Sequence, residues 1–270
     1  MKNIIVHLNC HTHPIAAALS DVFPDAEYNI VKVINFQKQP ISEALLQNCH
    51  IYIYQYIEGE HWGKYNSEFF LKLLPSRCIC IRYPIIRFNP FWPFNTKNGF
   101  LTNKKEIKKS QKFPNGDKFL ISKRNQYNSA KELAEEYLRQ DIHSLVNLDY
   151  EFQKILNWYD SLRNSMDLNI KQFILSNYKN KLLFHTVDHI SDFFLNYMID
   201  RIFCLLEIEK NKNYTCKFMS ENNIPIHPTV INYFNLSFVN DNQVYLYNGE
   251  YVSALQYYIN YILDLYALES

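Results

Sequence analysis

Glycine is scarce in this chain, with 5 residues in 270. That number leaves no material for a repeated glycine-rich phosphate loop of the G-x-G-x-x-G or Walker type, and argues against a P-loop kinase or an ordinary Rossmann dehydrogenase. An excess of charge is missing too: 28 Lys and Arg face 27 Asp and Glu, a formal net charge of +1. No global field draws in nucleic acid or an anionic membrane, so such an attraction needs a local cluster. The six cysteines, at 10, 49, 78, 80, 204 and 216, form no C-x-x-C pair. This argues against a structural zinc site or a disulfide framework and fits reduced thiols in a cytoplasmic protein. Long hydrophobic runs are absent as well: His7 and Asn9 interrupt the apolar start at Ile4–Val6, so no secretion signal and no membrane insertion are expected. What is abundant is core material, 47% hydrophobic residues including 21 Tyr and 19 Phe. Disorder, collagen and a small disulfide scaffold are excluded.

The first ninety residues alternate. Strand patterns at 4–8, 28–34, 51–56 and 78–82 are separated by helical spacing over 12–23, 41–47 and 69–74. Such alternation predicts an α/β fold with a parallel sheet in the N-terminal half, entered through an SGNH- or Rossmann-like strand-turn-helix, with ligands beyond the carboxyl ends of the strands. Three prolines between Arg82 and Phe94 break any regular element, leaving an ordered aromatic loop. A basic insertion, 96–131, follows; its residues 97–131 hold ten Lys or Arg against two acids, and it is either a solvated surface segment or a phosphate-facing rim. From residue 132 onward the spacing is largely helical, over 150–162, 170–177, 191–206 and 251–265. No Gly-, Pro- or Ser-rich linker intervenes, so residues 1–270 are expected to form one compact unit.

Several constellations carry chemistry. Asn9-Cys10-His11 lies where the first strand hands over to the first helix. A helix N-terminus favours thiolate over thiol there, and Asn9 is either an oxyanion donor or a cap. His185-Thr186-Val187-Asp188-His189 precedes a long helix and offers a general base with a carboxylate to orient it. The alternative is capping or core histidines. Gln55 ends the third strand, where an α/β site forms, and prolines fix a turn around His227. His7, His11 and His13 approach metal-ligand spacing, but Pro14 breaks the helical geometry and no Glu lies within the run, so no metal is expected. Aromatic loops beside a basic segment suit single-stranded nucleic acid, yet no RNP-like or zinc-finger pattern accompanies them, so no nucleic-acid partner is expected.

Taken in order, Leu8-Asn9-Cys10-His11, Tyr54-Gln55, Tyr83-Pro84 with the prolines through Pro93, Thr186-Val187-Asp188-His189 and Ile224-Pro225-Ile226-His227-Pro228 resemble the boxes of the WcbI-type family of capsular polysaccharide acetyltransferases. The sequence departs from that pattern at Leu8, His11 and Ile190, where the family carries Gly, Gln and Pro. The resemblance implies coenzyme A or acetyl-coenzyme A as substrate, a sugar or glycan precursor as acceptor, and Cys10, His189, Asp188 and Asn9 as catalytic residues. Contacts to coenzyme A are then expected from His11, Gln55, Tyr83 and His227. Basic side chains for its phosphates are Arg82, Arg87, Lys123 and Arg124. Two other readings remain open: an SGNH-like esterase removing glycan acetyl groups, and a non-catalytic coenzyme A- or glycan-binding protein.

Overall fold

The computed structural model describes residues 1–96, 115–162, 166–221, 223–240, 242–247 and 249–266. Most of the basic insertion therefore lies outside the described residues. The chain divides into two compact units. One comprises Met1–Ile85, Tyr159–Phe173 and Leu195–Thr215; the other comprises Ile86–Trp158, Ile174–Phe194 and Cys216–Ser270.

In the first unit, four parallel strands, β1 (Lys2–Leu8), β2 (Tyr28–Ile34), β3 (Cys49–Gln55) and β4 (Ile79–Tyr83), stand in the order β2-β1-β3-β4. The expected α/β architecture is present, with a mostly helical C-terminal half. β1 is central, and Ile4, Ile5, Val6 and Leu8 are wholly buried, as a parallel strand covered on both faces requires. Its neighbours are joined through α1 (Thr12–Ser20), α2 (Glu43–Gln47) and α3 (Ser67–Leu73). Ser42 and Asn66 cap α2 and α3 by accepting from Leu45 and Phe69 N–H groups, which satisfies donors a helix start leaves orphaned. α1 begins differently. Thr12 Oγ1 accepts from Leu8 N at 3.2 Å and donates to the Val33 carbonyl at 3.1 Å, pinning the helix start to the ends of β1 and β2. Pro14 sits in the first turn, where a missing N–H costs nothing.

The second unit is built on aromatic packing. Phe88 stacks on Phe184 with ring centroids 4.7 Å apart, and Phe91, Phe152 and Phe234 surround them, so the proline-broken loop after β4 is ordered by its own buried rings. Ser129 caps the helix Ala130–Arg139, and that helix packs on Ala254–Tyr266. Within the expected basic insertion the structure adds a helix, Lys118–Lys123, capped by Asp117. The proline box around His227 is a helix start, Pro228–Phe234, and more than a rigid turn: the His227 ring accepts from Thr229 N and Pro228 occupies the first helical position.

Asp117 makes this unit sensitive to acid in an unusual direction. Its carboxylate accepts from Tyr137 Oη at 2.6 Å and from Leu120 N at 3.0 Å, yet burial pushes its pKa up to about 6. The folded chain then holds this proton more tightly than the unfolded chain, whose aspartate titrates near its ordinary 3.8. This group's contribution to stability therefore rises as pH falls from about 6 to about 4. Thermal melts of wild type and Asp117→Asn between pH 7 and pH 4 should show the wild type gaining on the variant on acidification; a constant difference contradicts the assignment.

Candidate functional site

The strand order places the topological switch between β1 and β3, because the chain leaves β1 toward β2 on one side and returns to β3 on the other. In open parallel sheets the crevice beyond the carboxyl ends at that point is where ligands bind. Asn9, Cys10 and His11 occupy it. Asn9 Oδ1 accepts from His11 N at 3.1 Å, an Asx turn that bends the chain into α1. With Oδ1 held, the Asn9 Nδ2 donor has no partner among the described residues and remains available to a ligand.

Gln55 organises the floor. Its Oε1 accepts from Asn9 N at 3.0 Å and from Asn35 Nδ2 at 2.8 Å, while its Nε2 donates to the Pro84 carbonyl at 3.2 Å. One buried amide thus joins residues that follow β1, β2 and β4 to the end of β3. His11, also buried, has Nδ1 2.9 Å from Tyr83 Oη, with the two rings edge to face. Burial holds the Tyr83 phenol well above its ordinary pKa, and the charge of Cys10 adds to this. Cys10 itself is partly exposed and outside any disulfide. It immediately precedes His11, the N-cap of α1, whose first turn carries no acid to offset the helix dipole. Arg82 leaves β4 with Nε donating to Tyr54 Oη at 3.2 Å and its guanidinium 4.7 Å over the Tyr56 ring.

His189 and Asp188 belong to the second unit, in a tight loop. Thr186 Oγ1 accepts from the N–H groups of both Asp188 and His189, His185 N donates to the His189 carbonyl, and Ser191 N donates to Leu183 O. Burial, reinforced by the charge of His185, pulls the His189 imidazole down to about 4, so it is neutral at physiological pH and a weaker base than a free imidazole. His185 is lowered by burial as well, against the pull of Asp192. The Asp188 carboxylate pairs with Arg87, Nε to Oδ1 at 3.4 Å. Burial raises this carboxyl and Arg87 opposes the shift.

The remaining expected contacts are also in the second unit. Lys123 is bonded to Gln126 and the Arg124 guanidinium to the Ile121 carbonyl. His227 uses both ring nitrogens, Nε2 toward the Tyr137 carbonyl at 2.7 Å and Nδ1 from Thr229 N at 3.1 Å, which fixes a neutral tautomer. It borders a cavity of about 30 Å³ with Trp92, Asn95, Asp117, Tyr258 and Tyr261. That is room for one or two waters, and Asn95 Oδ1, buried without a partner among the described residues, is a group such waters satisfy. No group of three or more His, Cys, Asp or Glu among the described residues is placed to hold a metal ion.

The structure therefore brings together Asn9, Cys10, His11, Gln55 and Tyr83 in one unit, and Arg87, Asp188 and His189 in the other. Asn35 and Thr12 were not anticipated. A signal for Asn35 exists in the sequence: an asparagine directly follows an apolar strand end at Ile34-Asn35, as at Leu8-Asn9.

Comparison with known proteins follows the same lines. The model of the family described as polysaccharide biosynthesis enzyme WcbI matches residues 3–211. No curated protein matches the sequence. A solved structure of WcbI superposes with a TM-score of 0.68 at 17% identity, over 98% of this chain and 92% of that one. It is described as a polysaccharide biosynthesis enzyme in its native form, without the disulfide between coenzyme A and one of its cysteines. At that identity the likeness shows the fold.

Two measurements check the geometry. Gln55→Ala leaves the half-buried Asn9 N–H, the Asn35 amide and the Pro84 carbonyl without their partner, at a cost of about 1–3 kcal/mol for each group that water cannot reach. Urea unfolding should show a loss of at least about 1 kcal/mol, larger than for Asn35→Ala, which removes one donor and leaves the Asn9 bond intact. For His189, the imidazole resonances should titrate with a midpoint near 4 in the folded protein. A midpoint near 6.5 sinks the buried, neutral assignment.

Proposed function

The chain belongs to the family of polysaccharide biosynthesis enzymes described by the WcbI model, and on that premise we propose that it moves an acetyl group from acetyl-coenzyme A to a sugar hydroxyl of a capsule or related surface-glycan precursor. The observation that carries this reading is the thiol of Cys10, set at the sheet's switch point and ahead of a helix N-terminus. The likeness to a protein whose description couples coenzyme A with a cysteine supports it.

In the proposed reaction Cys10 gives its proton to a general base, the role this reading assigns to His189 from its place in the Thr186-Val187-Asp188-His189 box. The sulfur attacks the thioester carbonyl, and the oxyanion draws donors from Asn9 Nδ2 and the turn amides. Collapse breaks the bond to the coenzyme A sulfur, which leaves with the proton from His189. The sugar hydroxyl then attacks the acetyl-Cys10 carbonyl while His189 takes its proton, and the Cys10 thiol is restored. Arg82, in the same unit as Cys10, is the cation this reading assigns to the coenzyme A phosphates, held in place by Tyr54 and Tyr56. Arg87, Lys123 and Arg124 are further candidates, each already engaged within its own unit. A second route leaves Cys10 to position the thioester while His189 activates the hydroxyl directly.

Coenzyme A and acetyl-coenzyme A should raise the melting temperature by mass action. Incubation with acetyl-coenzyme A and no acceptor, followed by mass spectrometry, should find acetyl on Cys10; an unmodified Cys10 in a chain that still transfers acetyl selects the direct route. His189→Ala should slow transfer by about 100- to 10,000-fold, the range typical of a lost general base. Hydrolysis of nitrophenyl acetate with no response to coenzyme A overturns the proposal in favour of an esterase.

A further inference from the structure

A short antiparallel ladder, Asn95–Thr96 with Gly116–Asp117, sets Asn95 directly opposite Asp117. Residues opposite each other in such a pair turn their side chains to one face, with Cβ atoms about 5 Å apart. Asn95 and Asp117 both border the cavity beside His227, so an amide and a carboxylate share one wall of a space of about 30 Å³. Trp92, Tyr257, Tyr258 and Tyr261 line it too, and all of these residues belong to the second unit.

Hydrogen bonding leaves this wall with acceptors in surplus. The Tyr137 hydroxyl spends its proton on Asp117 Oδ2, the Tyr258 hydroxyl spends its own on the Pro225 carbonyl, and the Trp92 indole N–H goes to that same carbonyl. His227 is committed at both ring nitrogens. What is left is acceptor capacity: Asn95 Oδ1, buried without a partner among the described residues, and the further lone pairs of a carboxylate that accepts from Tyr137 and Leu120. A carboxyl that titrates at about 6 is mostly ionised at neutral pH, yet no ion pair joins Asp117 to a Lys or Arg among the described residues. The charge of adjacent Lys118 is the smallest of the influences that favour its ionised form.

We propose that this cavity binds one small monovalent cation, ammonium or potassium, held by Asn95 Oδ1 and the Asp117 carboxylate against the aromatic wall. Either ion is close to a water molecule in size, so it takes the place of one of the waters for which there is room. A water brings lone pairs of its own to a wall whose donors are already spent. A cation brings none, and its charge is attracted by the carboxylate, by the amide oxygen and by the electron-rich faces of aromatic rings. The site also joins separate elements: Tyr137 comes from the helix Ala130–Arg139, and Tyr258 and Tyr261 come from Ala254–Tyr266, with Tyr261 Oη accepting from Asp117 N at 2.9 Å. Filling it should therefore stabilise the second unit, independently of any acetyl transfer.

The test is thermal melting of the full-length protein at neutral pH, with choline chloride exchanged stepwise for ammonium chloride or potassium chloride at constant ionic strength. Choline is too large for the cavity and serves as the blank. The melting temperature of the wild type should climb with the concentration of either smaller cation, because a ligand that binds only the native form stabilises it by mass action. Asp117→Asn keeps an oxygen for Tyr137 and Leu120 but loses the charge, and Asn95→Leu loses the amide oxygen; each should lose most of the climb, and if one fails to fold the other decides. A wild type that melts at one temperature in all three salts overturns the proposal and leaves water as the occupant. A climb retained in full by either variant overturns it as well, as a general effect of salt.

Discussion

The candidate site depends on a single buried amide. Parallel strands deliver all their carboxyl ends to one edge of the sheet, and at that edge the ladder stops and leaves backbone donors and acceptors with no strand to satisfy them. Gln55 meets this need by spending both lone pairs of its oxygen on Asn9 N and Asn35 Nδ2 and one amide proton on the Pro84 carbonyl. The turn that presents Cys10 is thereby tied to β3 through Gln55 and to β2 through Thr12. An apolar residue at position 55 would fill similar space and leave the turn without its tie to β3. Polar residues buried at this end of the sheet are thus part of the scaffold before they are part of any chemistry.

Much of this arrangement is legible in the sequence, and the reasons are physical. β1 reads as a strand because Ile4 to Leu8 is apolar and ends at a polar turn, and it is buried because its neighbours flank it on both sides. The helix expected at 150–162 follows from apolar spacing, and the structure begins it two residues earlier, at Leu148. What periodicity cannot supply is the choice of partner. Asp188 sits one residue from His189, and adjacency suggests a dyad; its ion pair with Arg87, about a hundred positions away, is one that no local pattern names. His227 illustrates the same limit. A histidine between prolines looks like a ligand-facing group, whereas its ring serves as a helix cap and a donor to the Tyr137 carbonyl.

Burial sets the proton chemistry in opposite senses in two places of the second unit. It lowers the pKa of His189 below that of a free imidazole and raises that of Asp117 above that of a free carboxyl. In each case the uncharged form is favoured because few compensating charges accompany the group into the interior. For His189 the outcome is an imidazole that is neutral at physiological pH and a weaker base than a free one. For Asp117 it is a carboxyl that keeps accepting from Tyr137 and Leu120 at the edge of a cavity too small for a large ligand.

The interleaving of the two units along the chain has a consequence for inheritance. The boundaries fall at 85/86, 158/159, 173/174, 194/195 and 215/216, several of them within continuous helices. Neither unit corresponds to one uninterrupted stretch of coding sequence, so recombination between genes at any one breakpoint would deliver only part of each. Neither the sheet with its cysteine turn nor the aromatic body with its histidine loop can therefore be transplanted by one cut at either end of a single segment.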